Sequence, residues 1–309
     1  MKIKKIGFLF LRLIITILLL YFVYAKIDKK MLLSIFSSGK IYLLLIALFI
    51  FILSNITGAM QWFILLKNHK LNIKFFYIIK LYLSSAFFNS FMPSNIGGDV
   101  FKAYKFIANK KKAEIAFSSI IWDRFVSLYI LLLFISFTSI FIIKTYLIFS
   151  TFIFISILII LLLKYITTTR LKNKILNLIK KEKYKNFLKE FFLSFRYYFI
   201  LNKINLSYYI LAMFTQFLKI FINYFIILYM NLKINIFEIY FFIPIVGIIS
   251  MLPISINGIG LRESIGSYLF SYLNQNKLMI SLLFSIGNII ITLGNSLGII
   301  FLFSKEKKN

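Results

Sequence analysis

Apolar stretches of about 20 residues recur along this chain, and each is long enough to cross roughly 30 Å of hydrocarbon as an α-helix. Leu, Ile and Phe fill these stretches without the period-2 alternation of a transmembrane β-barrel. Hydrophobic residues make up 61% of the chain and charged residues only 15%, which excludes an ordinary soluble domain. The sequence therefore predicts an all-α, polytopic membrane protein, with residues 1–309 forming a single transmembrane domain.

About six stretches are predicted to cross the membrane completely, namely 6–25, 41–66, 114–141, 145–165, 206–230 and 277–303. The first follows a short basic N-terminus and lacks a small-residue cleavage site after it, so we interpret it as a retained signal anchor. Two further apolar stretches, 75–92 and 236–252, end at Pro93 and Pro253. Each leads through a polar, Gly-containing turn into a short amphipathic piece, 100–109 or 262–273. This pattern predicts two re-entrant helical hairpins.

The basic residues predict the orientation of these segments. With the N-terminus in the cytoplasm, most Lys and Arg residues lie in the cytoplasmic segments 1–5, 67–74, 102–112, 166–204 and 305–309. The hairpins then enter from opposite sides of the membrane, which is typical of an inverted repeat with a binding site where the broken helices meet. The net charge of +28 is explained by these basic cytoplasmic segments, which would contact anionic lipid headgroups. Nucleic acid is therefore not expected as a partner.

Segment 166–204 is the largest stretch predicted to lie outside the membrane. Leu188, Phe191, Phe192 and Phe195 recur at helical spacing, and basic residues lie off that stripe. This predicts a basic amphipathic helix on the cytoplasmic lipid surface. A solvated basic linker and a docking face for a partner are the alternatives.

The first candidate binding segment comprises Asn89, Pro93, Asn95, Gly97, Gly98, Asp99 and Lys102. Proline stops the incoming helix, because its ring removes a donor and clashes with the preceding turn. Asn95 can cap a new helix, and the glycines after it leave the first amides uncovered. Free amides at a helix start suit a phosphate or carboxylate. The alternative is that these glycines only permit close helix packing.

The second candidate segment repeats this pattern with Pro253, Asn257, Gly258, Gly260, Arg262 and Glu263. Glu263 is well placed against the positive end of the helix that it opens. Arg262 can contact a phosphate with two parallel hydrogen bonds, which lysine cannot do. A purely structural pair of charges at the outer interface is the alternative.

Asp123 and Arg124 form a third candidate site, because both lie inside a predicted span. A charge at membrane depth costs about 2.5–3.5 kcal/mol on insertion scales and usually lines a cavity or pairs with another group. Helix neighbours point in different directions, so separate partners are expected, such as Asp99 or Glu263 for Arg124. A pair that snorkels to the cytoplasmic surface is the alternative.

Two more predicted spans carry polar faces. One is made of Gln216, Lys219 and Asn223, and the other of Asn288, Thr292 and Asn295.

Several functional classes lack the residues that they need. The chain contains no cysteine and one histidine, His69, which we expect in a solvated basic loop. We therefore expect no metal site, no Ser–His or Cys–His pair and no cofactor. Only Asp99, Asp123 and Glu263 would serve an intramembrane enzyme, so an enzymatic function and catalytic residues are not expected.

Three blocks of this sequence together resemble the lysylphosphatidylglycerol synthase transmembrane (flippase-like) family. They are Asn89 to Asp99, Asp123-Arg124, and Pro253 to Glu263, and Trp62 also fits the family pattern. The resemblance covers nearly the whole chain, and Asn257 to Glu263 is its most specific part. It implies a flippase-like unit with paired re-entrant hairpins that moves lipid between leaflets. Since the last span ends close to Asn309, we expect a stand-alone member without the aminoacyl-transfer domain.

The sequence thus predicts translocation of a phospholipid or another polar-headgroup lipid across the bacterial inner membrane. The expected partners are membrane lipids with an anionic or phosphate-bearing headgroup, and the candidate residues above would bind them. The alternative function is that of a membrane-embedded accessory subunit. It would support a separate lipid synthase or glycosyltransferase through segment 166–204.

Overall fold

A computed structural model of the chain describes residues 40–91, 96–110, 112–142, 151, 157, 161, 176–179, 181–200, 202–252, 255 and 257–302. The helices in these ranges are α1 (Ile41–Lys67), α2 (Phe75–Phe91), α3 (Ile96–Lys110), α4 (Ala113–Ile142), α5 (Glu182–Phe199), α6 (Lys203–Tyr229), α7 (Ile236–Ser250), α8 (Leu261–Phe270), α9 (Lys277–Ser296) and α10 (Gly298–Leu302). A 3-10 turn, Ser271–Leu273, follows α8, and the described residues form no β-strand. The all-α prediction is confirmed.

Four described helices are long and apolar enough to cross a membrane. They are α1, α4, α6 and the stretch Lys277–Leu302, which comprises α9 and α10. They match the predicted spans 41–66, 114–141, 206–230 and 277–303. The predicted span 6–25 lies outside the described residues, as does 145–165 apart from residues 151, 157 and 161.

The two predicted interruptions are present as breaks between helices. Helix α2 ends at Phe91 and α7 ends at Ser250, each shortly before a proline. Proline disfavours helical backbone in the residue before it, so a helix usually ends there or earlier. The next helices begin at Ile96 and Leu261. The helix after the first interruption therefore starts earlier than the predicted residue 100. The prolines Pro93 and Pro253 and the predicted cap Asn95 lie outside the described residues.

The chain divides into two compact units. Unit 1 comprises Met1–Ser54, Leu83–Asp99 and Phe217–Asn309, and unit 2 comprises Asn55–Tyr82 and Val100–Gln216. The second interruption and the start of α8 lie in unit 1, whereas Asp123 and Lys102 lie in unit 2. Each unit has its own polar cluster.

Helix α5 packs against α4 in unit 2. The ring of Trp122 lies 4.7 Å from Phe199, 5.6 Å from Phe195 and 5.8 Å from Tyr198, measured between ring centroids. Such aromatic pairs contribute about 0.5–1.5 kcal/mol each beyond the burial of their area. The prediction that the α5 stripe lies on the lipid surface is therefore wrong at Phe195. That ring is buried against the protein's own helix.

The loop after α1 also packs within unit 2. His69 Nε2 lies 2.9 Å from the Tyr198 hydroxyl, and Asn68 donates a hydrogen bond to the side chain of Asn205. The prediction that His69 is solvated is wrong, because the α5 rings of Tyr197 and Tyr198 cover it edge-on. Burial lowers the pKa of His69 from 6.5 to about 4.

His69 is expected to titrate near pH 4 in the folded protein. Because the folded pKa lies below the unfolded value of 6.5, the contribution of this loop to stability is complete above pH 6.5. That contribution is lost as the pH falls from 6.5 toward 4. The chain has one histidine, so a single imidazole resonance in an NMR pH titration reports it directly. A midpoint near 6.5 in the folded protein would contradict the burial of this ring.

Candidate functional site

The turn between α7 and α8 has a backbone that few residue types adopt. Asn257, Gly258 and Gly260 have φ angles of 51°, 75° and 80°. Glycine adopts this left-handed region freely, and asparagine tolerates it better than most other residues. The sequence Asn257-Gly258-Ile259-Gly260 therefore specifies this turn and places Arg262 in the first turn of α8.

Packing on two sides fixes α8. The ring of Phe270 is fully buried, with ring centroids 5.0 Å from Phe242 on α7 and 6.2 Å from Phe284 on α9. Gly266 faces Phe284 so closely that a Cβ atom would overlap this ring. The start of α8 is therefore held in place by both neighbouring helices.

Glu263 lies at this helix start, and its carboxylate accepts three hydrogen bonds. Oε2 accepts from the Gly260 N–H at 2.8 Å, while Oε1 accepts from the Ser285 hydroxyl at 3.0 Å and from the Asn288 amide at 2.8 Å. Only 1% of Glu263 is exposed, and a buried carboxylate is tolerated when donors surround it in this way. The prediction that Glu263 stabilises the start of its helix is confirmed.

Arg262 folds back over the turn. Its Nε atom lies 3.1 Å from the point where a Cβ on Gly258 would stand, and its Nη1 donates to Asn288 Oδ1 at 2.9 Å. A guanidinium carries five N–H donors, and among the described residues this one bond engages a single donor. Arg262 is half-buried. Within the described part of the chain, donors of this guanidinium therefore remain for a further acceptor.

Two more donors in this turn have no partner among the described residues. The Ser255 hydroxyl and the Asn257 amide nitrogen are buried without a hydrogen bond, in side chains that are 1% and 3% exposed. An unpaired buried polar group costs about 1–3 kcal/mol, and folded proteins contain few of them. Ser255, Asn257 and Arg262 all offer donors, which suits a phosphate or carboxylate oxygen. Ser255 was missed in the sequence because a lone serine after a proline carries no recognisable signature.

At the first interruption the structure supports a packing role for Gly98. The Gly98 N–H donates to Asn89 Oδ1 at 2.7 Å, so the prediction of an uncovered amide at this position is wrong. A Cβ on Gly98 would overlap the carbonyl oxygen of Ser85 on α2. Gly97 and Asp99 lie beside it in the first turn of α3, where a carboxylate is favourable to the helix dipole.

One face of α9 contacts both interruptions within unit 1. Asn288 hydrogen-bonds to Arg262 and Glu263, and Asn295 donates to the hydroxyl of Ser90 near the end of α2 at 3.0 Å. Residues seven apart on a helix lie on the same face, about 10 Å along its axis. The polar face predicted for this span thus joins the end of α2 to the start of α8.

Unit 2 holds the third candidate site in a separate polar cluster. Asp123 Oδ1 accepts hydrogen bonds from Gln61 Nε2 at 2.5 Å and from the Tyr208 hydroxyl at 3.3 Å. Asp123 and its neighbour Arg124 are both half-buried on α4. The prediction that Arg124 pairs with Asp99 or Glu263 stays a prediction.

Lys102 lies in the interior of unit 2. It is 3% exposed, and its Nζ lies 4.6 Å from the ring centre of Trp62 and 5.1 Å from that of Tyr82. A cation over an aromatic face is attracted by the charge distribution of the ring. Trp62 is itself fixed by a hydrogen bond from its Nε1 to the Ser119 hydroxyl at 3.0 Å. This places the predicted binding residue Lys102 against two aromatic rings.

The fold and these clusters define the class, a multi-pass α-helical membrane protein with buried polar networks. A family model for the lysylphosphatidylglycerol synthase TM region matches residues 9–293. The chain therefore belongs to that family. No curated protein and no solved structure matches the sequence. Among the described residues, no group of three or more His, Cys, Asp or Glu could hold a metal ion.

Proposed function

We propose that this protein moves a phospholipid or another polar-headgroup lipid between the leaflets of the bacterial inner membrane. The observation that carries the proposal is the turn before α8, where Ser255, Asn257 and Arg262 offer donors that lack a full set of partners among the described residues. In the apolar interior of a membrane protein, such donors favour an anionic ligand that supplies acceptor oxygens. A lipid phosphate is the anion most abundant around a membrane protein.

A lipid translocator must carry a polar headgroup across roughly 30 Å of hydrocarbon while the acyl chains stay in lipid. In the proposed arrangement, the segments around the two interruptions are re-entrant hairpins of an inverted repeat, entered from opposite sides. The polar face of α9 supports this arrangement, because Asn288 and Asn295 contact residues next to both interruptions. Both termini would lie in the cytoplasm, as the basic segments predict.

The headgroup would bind mainly at the second interruption. There the guanidinium of Arg262 meets the phosphate, and Ser255 and Asn257 donate to its oxygens. Asn89, Gly98 and Asp99 at the first interruption remain candidates for lipid contacts in unit 1. Lys102, Asp123 and Arg124 remain candidates for lipid contacts in unit 2. The proposal needs no catalytic group and no cofactor.

Purified protein in liposomes tests this function. Fluorescent phosphatidylglycerol is placed in both leaflets, and a membrane-impermeant reductant bleaches the outer leaflet. With wild-type protein, bleaching is expected to continue beyond the outer-leaflet fraction, whereas protein-free liposomes stop there. Bleaching that stops at the outer leaflet with folded protein would contradict translocation and favour the accessory-subunit alternative.

A further inference from the structure

The side-chain amide of Asn288 contacts both charged residues at the start of α8. Its Oδ1 accepts from Arg262 at 2.9 Å and its Nδ2 donates to Glu263 at 2.8 Å. Asn288 is 7% exposed and sits on α9, which packs against α8. The arginine requires an acceptor and the carboxylate requires a donor, so one orientation of the amide serves both.

The hydrogen bond to Asn288 sets where the guanidinium of Arg262 lies. Arg262 and Glu263 are adjacent in sequence, and adjacent helical side chains point about 100° away from each other. Asn288 hydrogen-bonds to both groups. Without it, Arg262 would lose the acceptor that holds its guanidinium beside Gly258.

We propose that Asn288 is a positioning residue for headgroup binding. It holds the guanidinium of Arg262 beside the turn that carries Ser255 and Asn257. The inference rests on the proposed function, since it assigns the role of Asn288 at the same site.

Two substitutions separate positioning from simple packing. Asn288→Leu keeps the branched arrangement of four side-chain heavy atoms but neither accepts nor donates a hydrogen bond. Asn288→Asp keeps the acceptor for Arg262 but places a second negative charge against Glu263. Combining Asn288→Asp with Glu263→Gln exchanges the acid and the amide, so an amide again donates to a carboxylate and the net charge is unchanged. A packing role alone would not be rescued by this exchange.

Two readouts are measured for each variant. One is the phosphatidylglycerol retained by detergent-purified protein in native mass spectrometry, and the other is leaflet exchange of fluorescent phosphatidylglycerol in liposomes. Asn288→Leu is expected to reduce both about tenfold, the effect of losing one hydrogen bond to a charged group. The exchanged pair is expected to recover most of both. Asn223→Leu is the matched control, because that amide donates to the Ile220 carbonyl of its own helix, and it should leave both readouts unchanged.

The outcomes distinguish this inference from the proposed function. Wild-type retention and exchange in Asn288→Leu would overturn the positioning role while translocation stands. An exchanged pair as defective as Asn288→Leu, with an unchanged thermal midpoint, would overturn it as well. Asn288-dependent retention without any exchange by the wild type would support positioning and reject translocation. If the wild type neither retains nor exchanges the lipid, both proposals are rejected.

Discussion

Arg262→Gln is expected to lower leaflet exchange by at least about 100-fold, because the headgroup then loses the guanidinium that meets its phosphate. A hydrogen bond to a charged group contributes roughly 1.5–3 kcal/mol. A 100-fold decrease in rate corresponds to about 2.7 kcal/mol, so the loss of two such bonds to a phosphate would account for it. Glutamine still donates to an acceptor such as Asn288, so the packing of α8 against α9 is retained. The measurement is the bleaching rate of fluorescent phosphatidylglycerol in liposomes.

Two further variants calibrate this result. Arg262→Lys keeps the positive charge but loses the paired donors, so an intermediate rate is expected. Arg196→Gln removes an exposed arginine on α5 and should exchange lipid like the wild type. Equal rates in Arg262→Gln and the wild type, at equal protein incorporation, would remove Arg262 from the site.

The interruptions and most helices could be predicted from the sequence because they follow from local chemistry. A proline disfavours the continuation of a helix, although α7 accommodates Pro244 in its interior. Apolar stretches of sufficient length form membrane helices whatever their neighbours. The positive φ angles at Gly258 and Gly260 are likewise predictable, because glycine adopts this region without steric cost. For the same reason, the position of Glu263 at the start of α8 was predictable, since the positive end of a helix attracts a carboxylate.

The tertiary partners could not be predicted in this way. Asn288 lies 25 residues from Glu263, and no periodicity shows that one amide contacts both Glu263 and its neighbour Arg262. The aromatic stripe of α5 was predicted to face lipid. The same stripe can equally pack against an aromatic side chain of the protein, such as Trp122. The amide of Gly98 looked free because its acceptor, Asn89, belongs to the preceding helix. In each case the sequence did not show which helix packs against the residue.

Several charged residues in the described part of the chain meet specific partners. Glu263 is surrounded by donors, and Asp123 accepts from Gln61 and Tyr208. In an apolar surrounding, electrostatic attraction is strong and unpaired groups are costly, so such networks are rigid. The turn that carries Ser255 and Asn257 departs from this pattern, since two buried donors lie unpaired there among the described residues. Trp122 Nε1 is a third such donor, and it lies among aromatic rings of unit 2. That contrast is the reason for placing ligand binding at this turn.

Gly98→Ala is expected to lower the thermal midpoint of the purified protein by roughly 5 °C or more, since forcing an atom into a packed site costs about 1–3 kcal/mol or more. The new methyl group would overlap the carbonyl oxygen of Ser85, which belongs to the backbone of α2 and cannot rotate away as a side chain would. It would also push against Asn89, which accepts the hydrogen bond from this residue's own N–H.

Gly247→Ala on α7 is the matched control for Gly98→Ala. A Cβ at Gly247 meets no atom within 4 Å, and alanine favours a helix over glycine by up to about 1 kcal/mol. Its midpoint should therefore be unchanged or slightly raised. The thermal midpoints of both variants and the wild type are compared in one detergent. Both changes add a single methyl group to a helical glycine of unit 1. A difference between their thermal midpoints therefore reports the atoms that the new methyl group meets. Equal midpoints would show that α2 and α3 do not approach each other closely at Gly98.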